Sequence, residues 1–499
     1  MKYTFIEVVI ENIKSNKMLK CRNKNIIVIS FYGCLIMKKV IIIISFCFLF
    51  CNVLSSQNIM KIEQHSFKSS IYHEKRSFRI ALPVSADPNV KYNILFVLDA
   101  DYTFDIIAST AIYLQTFDYI PPTAVVAIDY STPGNRNDVG YDLSNNTLDS
   151  SGELFYKYIN CDLAKEINKI LPTSGFNSLV GHSYTASYLN YYIDSGNDYI
   201  KSYILFSPEE MKQIPRFEAN YKIKGPIIRI ITALDDIDAR QSFARNLYKT
   251  FQEKQYDIRL NNIKADHMSI IPAGIMEALT GLYDKYYNID SVYNIIEQTD
   301  TPLWEIFSNI NESNKNRYNQ ELPVSGSYIS AFLWTAIQRD EKESIDKLRT
   351  YYENALINEE SDPNALGVMG DLMKKLGLWK EADYYLDRCL ARYKKLKQEH
   401  ETLYWRRVYA LDVLPKLGKY KKAWKLLEEG KRIYLVDKAI FSYYQGVLSI
   451  TNNYIIKKGI EQLKIAIENP VVLKNNFIKK SEVENLIKKG IKMEELENP

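Results

Sequence analysis

The sequence predicts an α/β fold, a mostly parallel sheet with helices on both faces, followed by an all-helical region. Three observations carry that expectation. From about residue 79 to 287, short β-rich runs alternate with longer helical patterns. Several of the runs are apolar without alternation, as strands covered on both faces are. After about residue 300 the strand signal disappears and helical periodicity takes over.

The predicted strands, in order, are "FRIALPV", "ILFVLDA", "AVVAIDY", "SLVGHS", "YILFSP", "IIRIITAL" and "IRLNNI". Between them lie "LFYKYINCDLAKEINKIL", "TASYLNYYID" and "DARQSFARNLYKTFQEK", with apolar residues near three- and four-residue spacing. Strand and helix alternating in this way form parallel sheets. In the helical region, "LGLWKEADYYLDRCLARY" at 376–393 resembles "LGKYKKAWKLLEEGKRIY" at 417–434, and 452–470 repeats the pattern. The step from Tyr420 to Tyr454 is 34 residues, the tetratricopeptide period, and that from Trp379 to Tyr420 is 41. Ala382, Ala423 and Gly459 are the small residues that would let paired helices approach.

At the N-terminus, "MKKVIIIISFCFLFCNVLSSQ" at 37–57 has the charged start, apolar run and small-residue exit of a secretory signal peptide. Its apolar stretch is short for a bilayer span, so we expect an exported protein, periplasmic or extracellular, with no stable membrane span after cleavage. Bulky Phe50 before Cys51 argues against a lipoprotein, and an uncleaved anchor is the other alternative. The expected organisation is therefore an extension at 1–36, unless Met37 is the start, then a signal peptide at 37–56 and an α/β domain at 57–290. A linker at 291–325 and a helical, tetratricopeptide-like domain at 326–499 complete it.

Composition excludes some classes of function. The 64 basic and 60 acidic residues are spread along the chain, leaving a net charge of +4 and no basic stripe, so nucleic acid is not an expected partner. Past the signal peptide only Cys161 and Cys389 remain, too few for a metal cluster and placed in different expected domains, so neither a metal nor a structural disulfide is expected.

Residues 181–185 read Gly-His-Ser-Tyr-Thr, directly after a predicted strand and before a predicted helix. The G-x-S-x-G pattern holds a serine oxygen clear of the backbone beside a helix N-terminus, where N–H groups stabilise an oxyanion. Here the last glycine is Thr185. A serine nucleophile needs an imidazole to take its proton and a carboxylate to fix that imidazole's tautomer. Downstream of Ser183 the chain has His400, in the helical region, and His267, in "NNIKADHMSIIPAG" directly after the last strand. His267 is the candidate base. Between the two, "DDIDAR" offers Asp235, Asp236 and Asp238, of which some would simply cap the following helix; Asp236 is preferred and Asp235 second. His182, next to the serine in a tight turn, reads as packing or orienting support.

Four stretches in order resemble the putative esterase family of α/β-hydrolases, the group of esterase D-like and siderophore-ester hydrolases. They are "ILFVLDADYTF", "AIDYSTPGNRNDVGYDLS", "LVGHSYTAS" and "ADHMSIIP". The resemblance covers residues 75 to 287. It implies an α/β-hydrolase fold, with Ser183 as nucleophile, His267 as base and then acid, and Asp236 as orienting carboxylate. By the same resemblance the backbone N–H groups of Tyr184 and Asp101 form the oxyanion hole, and the loop of Asn135, Arg136 and Asp138 shapes the mouth. It implies a small-molecule ester substrate and no cofactor. The helical repeats, outside the resemblance, are expected to be available to a protein partner. Two residues depart from the family pattern. Ala100 replaces a common glycine, and Thr185 places a β-branched residue where strand and helix are expected to pack closely. Thr185 is what motivates the rival expectation, a non-catalytic scaffold acting through its helical region.

Overall fold

The computed structural model describes residues 59–497 except 85, 87–89, 220, 222–224 and 359–360. The expected signal peptide and Cys51 lie outside the described residues. The α/β part is built on an eight-stranded sheet. Its strands are β1 (Met60–Lys68), β2 (Lys75–Pro83), β3 (Tyr92–Val97), β4 (Thr123–Ile128), β5 (Thr173–His182), β6 (Ser202–Phe206), β7 (Ile227–Ala233) and β8 (Asp257–Ile263). They are ordered β1-β2-β4-β3-β5-β6-β7-β8. β1 and β2 form an antiparallel hairpin, β2 runs antiparallel to β4, and every pairing from β4 to β8 is parallel. This is the α/β-hydrolase arrangement.

The continuous apolar runs have the expected cause. Every residue of β3, β4, β6 and β7 is buried, because helices cover both faces. Successive side chains of a strand point to opposite faces. Ile94 and Phe96 accordingly join a core with Phe155, Tyr188, Tyr192 and Leu247, and Leu95 and Val97 join another with Phe104, Ile107, Ile275 and Leu279. The first core is closed by a helical stretch over 150–170 and by helices Tyr184–Asp194 and Asp238–Glu253; the second by helices Ala100–Thr116 and Ile270–Leu282.

Two stretches differ from the sequence expectation. β1 is an added edge strand. None of its residues is fully buried, so its sequence carries no apolar run; it is held by nine-residue pairing with β2. The expected linker is also helical, as Ile289–Glu297 and Leu303–Tyr318. The second of these is rich in Asn and Ser, but it buries Leu303, Ile306, Phe307, Ile310, Asn314 and Tyr318 along one face.

Tyr318 is fully buried in the second core, its ring 5.4 Å from that of Phe176 and 5.2 Å from that of Tyr283. Gln320 donates to Lys91 O and to Asn93 Oδ1, each at 2.8 Å. The Asp118 carboxylate, in the turn after helix Ala100–Thr116, accepts from Tyr328 Oη at 2.6 Å, Ile289 N at 3.1 Å and Tyr286 Oη at 3.3 Å. The α/β part and the helices after it therefore share buried contacts.

The three similar segments form helices Trp379–Lys395, Tyr420–Ile433 and Ile456–Ile467. Ala382 and Ala423 are fully buried. A Cβ at Gly459 would stand 2.3 Å from Ser449 Cβ, so its helix packs on the preceding one only as glycine allows. Cys161 is exposed, Cys389 is buried, and both are free thiols. Among the described residues no helix is long and apolar enough to cross a membrane.

Candidate active site

Strand β5 ends at His182, and Ser183 turns the chain into helix Tyr184–Asp194 with φ 59° and ψ −120°. A non-glycine residue held at such angles is strained, and a strand-to-helix turn of this kind is what lifts a serine side chain clear of the sheet. Strand β6 and the loop after it pin it. Ser183 N donates to Phe206 O at 2.8 Å, and Glu209 N donates to Ser183 O at 3.2 Å.

The close approach of strand and helix falls at Gly181. A Cβ there would stand 2.6 Å from Thr185 O and 2.6 Å from Leu189 Cδ1. Thr185 is not crowded out. It is fully buried, and its hydroxyl lies 2.6 Å from Asp99 Oδ2 while accepting from His182 N at 2.9 Å. The expected conflict at this position is absent because the missing side chain is needed four residues earlier.

His267 follows β8 in a loop ordered by Asp266, whose carboxylate accepts from the backbone N–H groups of Met268 and Ser269 at 3.0 and 2.8 Å. Its Nδ1 lies 2.7 Å from Asp236 Oδ2 and its Nε2 lies 3.0 Å from Ser183 Oγ. Of the three candidate aspartates, the structure brings Asp236 to the imidazole. Asp235 is exposed and pairs with Lys264 at 2.6 Å, and Asp238 opens the following helix. Burial pushes the Asp236 carboxyl up, but hydrogen bonds from His267, Ile237 N and Arg240 outweigh it and hold the group below the usual aspartate value. An ionised Asp236 keeps the Nδ1–H tautomer and leaves Nε2 to face the serine.

Tyr184 is the first residue of its helix and Asp101 the second of helix Ala100–Thr116. N–H groups at these positions have no intrahelical acceptor. The Thr185–Asp99 hydrogen bond sets the two helix N-termini side by side. Asp99 is in turn clamped by Arg136, at 2.7 Å to Oδ1 and 2.8 Å to Oδ2, and by Tyr130 Oη at 3.1 Å. The loop expected at the mouth thus acts partly from beneath. Arg136 holds Asp99, Asp138 pairs with Arg76 at 2.6 Å, and Asn135 accepts from Asn137 N.

The His182 ring packs against that of His267, tilted by 34° with centroids 4.7 Å apart, and its Nε2 lies 2.8 Å from His267 O. Burial, above all, pushes its pKa down to about 4, so the ring is neutral and supports the His267 loop from below.

Sequence reasoning missed Glu209 and Arg240. Glu209 Oε2 lies 3.1 Å from Ser183 Oγ. Arg240 donates to Glu209 Oε2 from Nη2 at 2.9 Å and to Asp236 Oδ1 from Nη1 at 3.1 Å. The only sequence signal was the four-residue spacing of Asp236 and Arg240 at a helix start.

Among the described residues no group of three or more His, Cys, Asp or Glu side chains is placed to hold a metal. A cavity of about 980 Å³ lined by Lys201, Ile227, Asp257 and Arg317 lies at the opposite, N-terminal ends of the strands, away from Ser183.

No protein-family model and no curated protein matches the chain. In structure it is similar to an uncharacterised protein from Capnocytophaga ochracea, with a TM-score of 0.50 at 16% identity, covering 66% of this chain and 93% of that one. It also aligns with an IroE-like serine hydrolase from Shewanella oneidensis (TM-score 0.45, 15% identity, 59% and 99% covered). A third is the BES protein from Bacillus cereus (0.39, 16%, 46% and 99%). At such identity the first likeness shows a shared fold.

Proposed function

We propose that the protein is a serine hydrolase that cleaves a carboxylic ester through an acyl-enzyme. The observation that carries this reading is the unbroken line of hydrogen bonds from Ser183 Oγ through His267 to Asp236, set on a strained strand-to-helix turn. In this reading His267 Nε2 takes the Ser183 proton as Oγ attacks the acyl carbon, and Asp236 stabilises the imidazolium that forms. The N–H groups of Tyr184 and Asp101 receive the oxyanion, each donor contributing on the order of 100- to 1000-fold in rate. His267 then protonates the leaving alcohol, and water completes hydrolysis by the reverse route. Exposed Tyr102, Ile237 and Met268 flank the residues of the site and favour an uncharged, partly apolar ester.

The expected leader makes export part of the proposal. The helical region, with its repeated segments, would serve as an interaction or assembly module. The alternative, a non-catalytic scaffold, rests on Thr185; the bond of that hydroxyl to Asp99 supports the hydrolase reading instead.

Incubation of the purified protein with a fluorophosphonate probe tests the reading. Labelling is expected at Ser183 and lost in Ser183→Ala; equal behaviour of the two proteins would overturn it. A panel of short-chain and aromatic esters then identifies the acyl group.

A further inference from the structure

The Ser183 hydroxyl has one proton and two acceptors within reach, His267 Nε2 at 3.0 Å and Glu209 Oε2 at 3.1 Å. Acylation needs the first. The second has no part in the triad, yet it is firmly built. Arg240 Nη2 meets both Glu209 oxygens, at 3.2 and 2.9 Å, and Nε meets Oε2 at 3.2 Å. The Glu209 backbone is tied at both ends, its N–H to Ser183 O at 3.2 Å and its carbonyl to Ser187 Oγ at 2.6 Å.

Building on the proposed esterase reading, we infer that Glu209 is a further catalytic residue, acting in deacylation by positioning the attacking water. In the free enzyme Ser183 can donate to Glu209. Once Oγ carries an acyl group it has no hydrogen, and the Glu209 carboxylate then faces an ester oxygen with no proton between them. Two acceptors in that position repel, and a water donating to Glu209 relieves the repulsion. That water stands next to the acyl carbon, because the carbon is bonded to Oγ. It is also within reach of His267 Nε2, which lies at hydrogen-bond distance from the same oxygen.

The step balances without an added reactant. One water hydrogen stays bonded toward Glu209 while the other passes to His267 Nε2 as the water oxygen attacks the acyl carbon. The carbon–Oγ bond then breaks, and His267 returns its proton to Oγ. A carboxylic acid leaves, and the Ser183 hydroxyl again has Glu209 as an acceptor. Glu209 accepts hydrogen bonds throughout and gains no proton. Arg240 holds it in place and is a positioning residue.

The test separates the two chemical steps. With a p-nitrophenyl ester, rapid mixing reads acylation as the nitrophenol burst, and intact-protein mass spectrometry reads the decay of the isolated acyl-enzyme. Glu209→Gln is expected to slow decay by about ten- to a hundredfold, the loss of a charged hydrogen-bond acceptor, with the burst rate changed much less. Glu209→Ala should behave likewise and recover in part with added formate, which a merely structural role would not do. Decay unchanged in both variants, or both steps slowed by the same factor without rescue, would overturn the role of Glu209 and leave the triad reading standing. Absence of any Ser183-dependent burst in the wild-type protein would instead overturn the esterase reading, and this inference with it.

Discussion

The hydroxyl of Thr185 lies 2.6 Å from the buried carboxylate of Asp99, joining the helix that follows the serine to the loop that follows β3. A residue that departs from the elbow pattern is therefore a fastener of the site. Thr185→Val keeps the shape and removes the donor. We expect it to lower the free energy of unfolding by about 1–3 kcal/mol, since Asp99 and His182 N each lose a partner, and to reduce turnover. Thr185→Ser should stay near wild type. Urea denaturation checks both; a Val variant as stable as the parent would contradict the assignment.

Asp236 and Asp235 are adjacent in sequence and differ sharply in setting. Asp236→Asn is expected to lower kcat by about 10,000-fold, the scale on which a wrong imidazole tautomer acts. Asp235→Asn, which loses only an exposed pairing with Lys264, should stay within about twofold. Steady-state kinetics on any ester the protein turns over distinguishes the two, and reversed effects would reassign the acid.

His182 links the site to pH. Its folded pKa is about 4, against 6.5 for an ordinary histidine. Between those values the unfolded chain binds more protons than the folded one, so stability is full above pH 6.5 and declines as pH falls toward 4. The loss is on the order of 3 kcal/mol. His182→Asn should flatten the dependence of the unfolding midpoint on pH across this window. A slope identical to wild type would show that other groups cause it.

Tyr318 belongs to the expected linker but fills the second core of the α/β part. Tyr318→Ala is expected to cost about 3–5 kcal/mol. Because the core is shared, Ser183 labelling and helical circular dichroism should be lost at the same urea concentration. Separate transitions would mean that the two parts unfold independently.

How much of this was legible in the sequence follows from where each signal resides. β3, β4, β6 and β7 announce themselves because burial on both faces makes most of their residues apolar. β1 does not, because an exposed edge strand has no apolar run, and Leu303–Tyr318 hides its packed face among asparagines. Ser183 and His267 could be read from a local motif and from the scarcity of histidines. Asp236 is preferred from the sequence within a cluster of three, with Asp235 second, but the choice itself depends on which carboxylate a tertiary fold turns inward. Glu209 and Arg240 left almost no trace. Glu209 meets the serine across 26 residues and Arg240 meets Glu209 across 31, and no short pattern spans such distances.

Asp118 has an evolutionary corollary. Its carboxylate sits in the α/β part, but Ile289 N and Tyr328 Oη supply two of its three hydrogen bonds from the chain's later helices. A recombination event that exchanged everything after residue 287 would leave this half-buried carboxylate with Tyr286 as its remaining partner among the three, so a chimera inherits a debt at position 118 along with its new tail. Descendants that swap tails should carry a compensating change there, whereas those that keep this tail have reason to keep the aspartate.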